Sequence, residues 1–241
     1  MNTFVLARHY IRETMRNKAG LIFGALQPVL FLALFGPLFA RSGVGSWEVL
    51  VPGLLIQLGL LSAGMSGFGI VFDQRFGVLE RLRVTPASRM SLLLGRVLKD
   101  ALVLMIQATG LVLLGYAFGL RAPVLGVLLG LVLMLLLAVS LSSLSYALAL
   151  TLNQDLFAPI MSTVLVPLLL LSGALLPMSL APGWLDALSR LTPFRYVVEA
   201  LRAFFAGTYT SGPALVGVGV TLLFVLAGVA AGTRRFQREN A

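Results

Sequence analysis

VLVPGLLIQLGLLSAGMSGFGIVF, residues 49–72, runs without an Asp, Glu, Lys or Arg, and the segment 73–99 that follows carries six of the chain's eighteen Lys and Arg residues. A hydrocarbon slab of about 30 Å is crossed by roughly 20 apolar residues in helical conformation. One charge at a helix centre costs about 2.5–3.5 kcal/mol, against a gain of about 0.3–0.6 kcal/mol per Leu, Ile, Val or Phe. The stretch therefore reads as a membrane span that delivers the chain to a basic island outside the bilayer. Five further charge-free runs meet the same length: 20–40, 101–120, 124–152, 156–180 and 214–233. The expectation is an all-α, polytopic membrane protein with six transmembrane helices, built as a single domain over 1–241.

Composition agrees, with 59% hydrophobic and 11% charged residues. Alternation with a period of two is absent, which argues against a lipid-embedded β-barrel. The net charge of +9 is sorted by side of the membrane: thirteen cations fall in one set of connecting segments, and only Arg41, Arg121, Arg190, Arg195 and Arg202 in the other. By the positive-inside rule this predicts cytoplasmic N- and C-termini in a cell membrane, and lipid rather than nucleic acid as the charged partner. The chain has no cysteine, which excludes disulfides, thiolate catalysis and cysteine-ligated metals. The first apolar run follows a long charged stretch and exceeds a signal-peptide core, so it reads as a retained span.

Ahead of it, Phe4, Ala7, Ile11 and Met15 recur at helical spacing beside a stripe of Arg8, Arg12 and Arg16, the pattern of a basic amphipathic helix lying in the membrane interface. Gln27-Pro28 and Gly36-Pro37 in the first span, and Pro159, Pro167 and Pro177 in the fifth, predict bent helices. Between the last two spans, Trp184, Leu185, Leu188 and Leu191 form a short apolar face. Thr192-Pro193 then supplies a cap and first-turn proline for a second short helix. That helix pairs an apolar stripe of Phe194, Val197, Val198, Leu201, Phe204 and Phe205 with a charged one of Arg195, Glu199 and Arg202. The expectation is an outer-side re-entrant hairpin. Pairs such as Gly126/Gly130 and Gly228/Gly232 fit the small-residue spacing of close helix packing.

In the basic island, Val78, Leu79 and Leu82 give a short helix an apolar side next to Glu80, Arg81 and Arg83, and Thr85-Pro86 breaks it. A solvated basic turn does not need that apolar patch; a helix seated in a partner's groove does. At these residues the chain resembles the permeases of type 2 ABC exporters. Asp73, Gly77, Leu79-Glu80, Thr85-Pro86, Arg89 and Leu94-Gly95-Arg96 take the places of the family pattern, with Val78 where Thr is usual. Gln27-Pro28, the 51–55 run VPGLL, the 191–196 run LTPFRY and Glu199-Ala200 extend the likeness over most of the chain.

The resemblance implies a permease working as a homodimer or heterodimer, with Arg75, Gly77, Val78, Leu79, Glu80, Arg81, Leu82, Arg83, Thr85 and Pro86 as a coupling helix docked on a separate ATPase subunit. No Gly-rich loop ending in Gly-Lys-Ser/Thr is present, so the chain itself is read as no enzyme and as binding no cofactor, with ATP and Mg on the partner. Two other classes compete. Gly64-Met65-Ser66-Gly67 matches the Gly-x-Ser-Gly of an intramembrane serine protease, but the single histidine, His9, precedes every span. A proton-coupled carrier or channel calls for an ionisable residue at membrane depth, and the six runs have none. Gln27, Gln57 and Gln107 remain as residues lining a path or bonding neighbouring helices. The apolar spans lean toward a hydrophobic or amphipathic substrate such as a drug, lipid or glycan.

Overall fold

The computed structural model describes residues 18–42, 46–76 and 89–238, and the side chains within 24–38, 46–76 and 93–234. All regular structure among them is helical: α1 (Lys18–Ser42), α2 (Trp47–Gly64), α3 (Phe68–Arg75), α4 (Arg89–Phe118), α5 (Val124–Thr151), α6 (Gln154–Leu171), a 3₁₀ turn (Met178–Leu180), α7 (Gly183–Ser189), α8 (Pro193–Phe205) and α9 (Gly212–Arg238). Five stretches are long and apolar enough to cross a bilayer, namely Trp47–Arg75, Leu93–Phe118, Val124–Thr151, Gln154–Leu171 and Gly212–Arg234. α1 adds the shorter apolar stretch Gly24–Leu38. The chain is a multi-pass membrane protein. The N-terminal Arg stripe lies outside the described residues.

α5 is the hub, packed against α9, α4, α2 and α8. Its seam with α9 is tight because Gly228 and Gly232 present no side chain. A Cβ on Gly228 would fall 2.8 Å from the Ser140 carbonyl oxygen, and one on Gly232 3.0 Å from that of Ser143. Close backbone approach of this kind is how helices associate where lipid removes the hydrophobic drive between them. Ser140 adds a hydroxyl bond across the seam to the Phe224 carbonyl, at 2.7 Å.

Two expected spans differ in the structure. The run 49–72 is not one helix: α2 stops at Gly64 and α3 restarts at Phe68. The reason lies on α5. The Gly67 N–H donates to Ser145 Oγ at 2.9 Å, and the Ser145 hydroxyl donates to the Gly64 carbonyl at 2.5 Å, so backbone groups at the break are satisfied from a neighbouring helix. The run 156–180 likewise ends as α-helix at Leu171. Gly173 there takes a φ of 71°, a left-handed conformation that a side chain disfavours and that turns the chain out of the helix.

Candidate functional site

At one end of the bundle the chain leaves α3, passes through residues 77–88 and returns in α4. Of the residues expected to form the coupling helix, Arg75 is described; Gly77, Val78, Leu79, Glu80, Arg81, Leu82, Arg83, Thr85 and Pro86 lie outside the described residues. What the structure supplies is the frame beneath them. Arg96 of α4, 7% exposed, donates from Nη2 to Asp73 in the last turn of α3. Arg75 pairs with Asp155 at the start of α6. Lys99 lies 2.8 Å from Asp100, which also accepts from the Tyr146 hydroxyl of α5. Four helices are thereby joined by charge-assisted bonds around the base of the segment. Asp73 and Arg96 were legible in the sequence as separate motif positions; their pairing was not.

At the opposite end, α8 buries the predicted stripe, Phe194, Val197, Val198, Leu201, Phe204 and Phe205. Its charged stripe divides into two functions. Arg195 Nε donates to Glu199 Oε1 at 3.0 Å, and its Nη1 reaches the Asp186 carboxylate at 2.6 Å and Ser189 Oγ at 2.6 Å on α7. Arg202 instead serves backbone: Nη2 donates to the Gly173 and Ala174 carbonyls at 2.8 and 3.2 Å, and Nε to Val49 at 3.4 Å. Burial, partly offset by Glu199, lowers its pKa to about 10, which leaves it charged at neutral pH. Asp186 titrates below its ordinary value because Arg190 and then Arg195 hydrogen-bond the charged form.

Two details of the hairpin depart from expectation. Thr192 precedes Pro193 as predicted, yet its hydroxyl bonds back to the Ser189 carbonyl at 2.8 Å rather than capping α8. Among the described residues nothing covers the apolar side chains of this stretch: Trp184 and Leu188 of α7, and Leu191 just beyond it, stand exposed.

The three glutamines sit in different surroundings. Gln57 is buried among the residues of α2. Gln107 is buried where α1 meets α4, its Nε2 2.7 Å from where a Cβ on Gly24 would stand. Gln27 is exposed on α1, beside a shallow apolar groove of about 350 Å³ formed with Leu26, Leu30, Phe31, Leu34 and Phe35. Ser66, the serine of the protease-like match, lies 3.2 Å from Ser142 Oγ. Among the described residues no group of three or more His, Asp or Glu is placed to hold a metal ion.

Residues 1–206 match the family model described as ABC-2 type transporter. The chain is 30% identical to a protein named as a transport permease, ycf38, of Cyanophora paradoxa, over 84% of this chain and 73% of that one. It is 28% identical to the daunorubicin resistance ABC transporter permease protein DrrB1 of Streptomyces coeruleorubidus, over 76% and 67%. A protein of Mycobacterium tuberculosis named as a doxorubicin resistance ABC transporter permease, DrrC, is 25% identical over 88% and 78%.

Proposed function

Because the chain belongs to the ABC-2 type transporter family, we propose that it is the transmembrane permease subunit of an ATP-driven exporter, pairing with a second permease chain and taking its energy from a separate ATPase. In this reading both termini are cytoplasmic, in the cell membrane, as the thirteen-to-five distribution of cations supports. Residues 77–86 seat on the ATPase through Val78, Leu79 and Leu82, and Glu80, Arg81 and Arg83 fix the register. The observation that carries the reading is the frame around this segment: Asp73 and Arg96 are paired across its base and Arg75 reaches α6, so a push on the segment is passed to the spans. ATP and Mg are held by the partner, and this chain catalyses no reaction. The substrate is a hydrophobic or amphipathic compound. The apolar character of the spans and the drug-resistance names of the two Drr relatives support that class.

The test uses the chain co-expressed with its ATPase and doxorubicin as probe in inverted vesicles. Leu79→Asp places a carboxylate in an apolar contact, a penalty of several kcal/mol, and is expected to release the ATPase and abolish ATP-dependent uptake. Glu80→Ala is expected to lower transport-linked ATP hydrolysis while the chain still inserts. Transport by the chain alone, at a rate unchanged by Leu79→Asp, would overturn the proposal.

A further inference from the structure

We infer that the break between α2 and α3 is a hinge clasped by Ser145, and that α3 and the first turn of α6 swing about it as one lever while α2 stays fixed. The permease reading supplies the force that moves the lever; the hinge itself stands on geometry alone.

A broken helix inside a bilayer survives only where neighbours satisfy the backbone groups it frees. Here a single hydroxyl does so on both sides of the break, accepting from Gly67 N–H and donating to the Gly64 carbonyl. Ser145 is 1% exposed, so no water competes for it. One turn earlier on α5, Ser142 Oγ meets Ser66 Oγ at 3.2 Å, within the break itself. A hydroxyl rotates about its C–O bond, so it can keep two partners through a change of angle that would sever a helical ladder. Glycine and serine together are a common cause of sharp helix bends. The fit around Gly67 is close: a Cβ there would fall 2.5 Å from the Phe157 ring and 2.6 Å from the Ser145 carbonyl oxygen.

What lies on either side of the hinge differs. Residues 50–60 of α2 are all buried, held on several sides by α1, α4, α5, α8 and the later turns of α6. α3 leaves Phe72 half exposed, and α6 exposes Leu156, Ile160, Val164, Val166 and Leu170. The two exposed elements are fastened to each other twice. Near the break, the Phe68 and Phe157 rings meet edge to face with centroids 5.0 Å apart; at the far end of α3, Arg75 pairs with Asp155. Arg96, two turns into α4, bonds Asp73 in the last turn of α3 and so limits how far that end can swing. At its other end α6 is held where Arg202 binds the Gly173 and Ala174 carbonyls. Between these ends Pro159 and Pro167 remove backbone donors and let α6 bend. A displacement of the Arg75 end of α3 thus reaches the first turn of α6 and leaves α2 in place.

The chain has no cysteine, so spin labels can be placed at will. Labels at Ser46 and Phe72 read α2 against α3; labels at Phe72 and Leu156 read α3 against the first turn of α6. Labelled chains are diluted with unlabelled ones in nanodiscs and distances are measured by double electron–electron resonance. In the chain alone, Ser145→Ala is expected to broaden the 46–72 distribution and leave the width of 72–156 unchanged. Ser145→Thr, which keeps the hydroxyl, is expected to restore the parent distribution. An unchanged 46–72 distribution in Ser145→Ala, or equal broadening of both pairs, would overturn the inference.

The parent chain with its ATPase, trapped with ATP and vanadate, gives a second reading that does not depend on the variants folding. The 46–72 distance should shift by several ångström while 72–156 holds, and the reverse pattern refutes the lever. An ATPase that fails to bind at all counts against the permease reading, and the Ser145 series then decides the hinge on its own.

Discussion

Arg96 of α4 and Asp73 of α3 form an ion pair across the base of the segment 77–88, with the arginine nearly buried and the aspartate partly open. Removing one member of such a pair leaves the other poorly compensated, and the loss exceeds that for a surface pair. Arg96→Met is therefore expected to destabilise the chain by about 2–4 kcal/mol, read as a lowered melting temperature in detergent. Asp73→Asn, which keeps an acceptor oxygen, should cost less. The exchange Asp73→Arg with Arg96→Asp should recover part of the loss, whereas a merely additive result would mean that the pair contributes nothing as a pair.

Arg202 presents a second, distinct use of a cation. Its fork holds three carbonyls from two places, the end of α6 and the first turn of α2. Lysine has the charge but not the planar fork. Arg202→Lys is expected to lose on the order of 1–2 kcal/mol and Arg202→Met about 3 kcal/mol, since the latter leaves buried carbonyls without a donor. Protease accessibility around Ser172 and Gly173 should rise in the same order, and equal stability of Lys and Arg at this position would contradict the assignment.

Much of this architecture was legible because a bilayer writes itself into sequence as charge-free runs of fixed length. The stripe from Phe194 to Phe205 was legible for a similar local reason, since helical spacing alone separates its two faces. What could not be read were features made by residues far apart in the chain. The break at residues 65–67 depends on Ser145, which sits in a span of its own and looks like any small residue of a packed helix. The turn that ends α6 at Gly173 is held by Arg202, and a place in a charged stripe does not reveal that its acceptors are backbone. The proposed coupling residues rest on their motif, whereas the tie of Arg75 to Asp155 joins α3 to α6, which the motif does not reach.

The hairpin should report acid through Asp186. Its folded-state pKa lies below the ordinary 3.8, because Arg190 and then Arg195 bind the charged form. A depressed carboxyl contributes stability that is present above the unfolded value and is lost as pH falls through the folded one. Trp184 stands on the same short helix, and Trp47 is the second tryptophan of the chain. In a Trp47→Phe background, Trp184 emission is expected to stay constant from pH 7 to about pH 4 and to change below it. Asp186→Asn should abolish that acid step and weaken the hairpin at neutral pH. A step that survives in Asp186→Asn would assign it to another group.

Gly53, in the Val51-Pro52-Gly53 sequence that opens the second apolar run, lies against the turn that ends α6. A Cβ built on it would fall 1.8 Å from the Ala174 carbonyl oxygen, and that carbonyl is itself held by Arg202. The obstacle is backbone, so it cannot rotate away as a side-chain tip would. Gly53→Ala must push α2 from the α6 turn, break the Arg202 bonds, or both, and overpacking of a close-packed site typically costs about 1–3 kcal/mol. A loss at or above the upper end of that range is expected. Gly110 supplies the control, for it lies within α4 and a Cβ there meets nothing within 4 Å. Gly110→Ala should be neutral or stabilise by about 0.5–1 kcal/mol through helix propensity alone. Melting temperatures of the two variants, measured in the same detergent, should move in opposite directions or differ by several degrees; similar small shifts would mean that α2 and the α6 turn do not meet backbone to backbone.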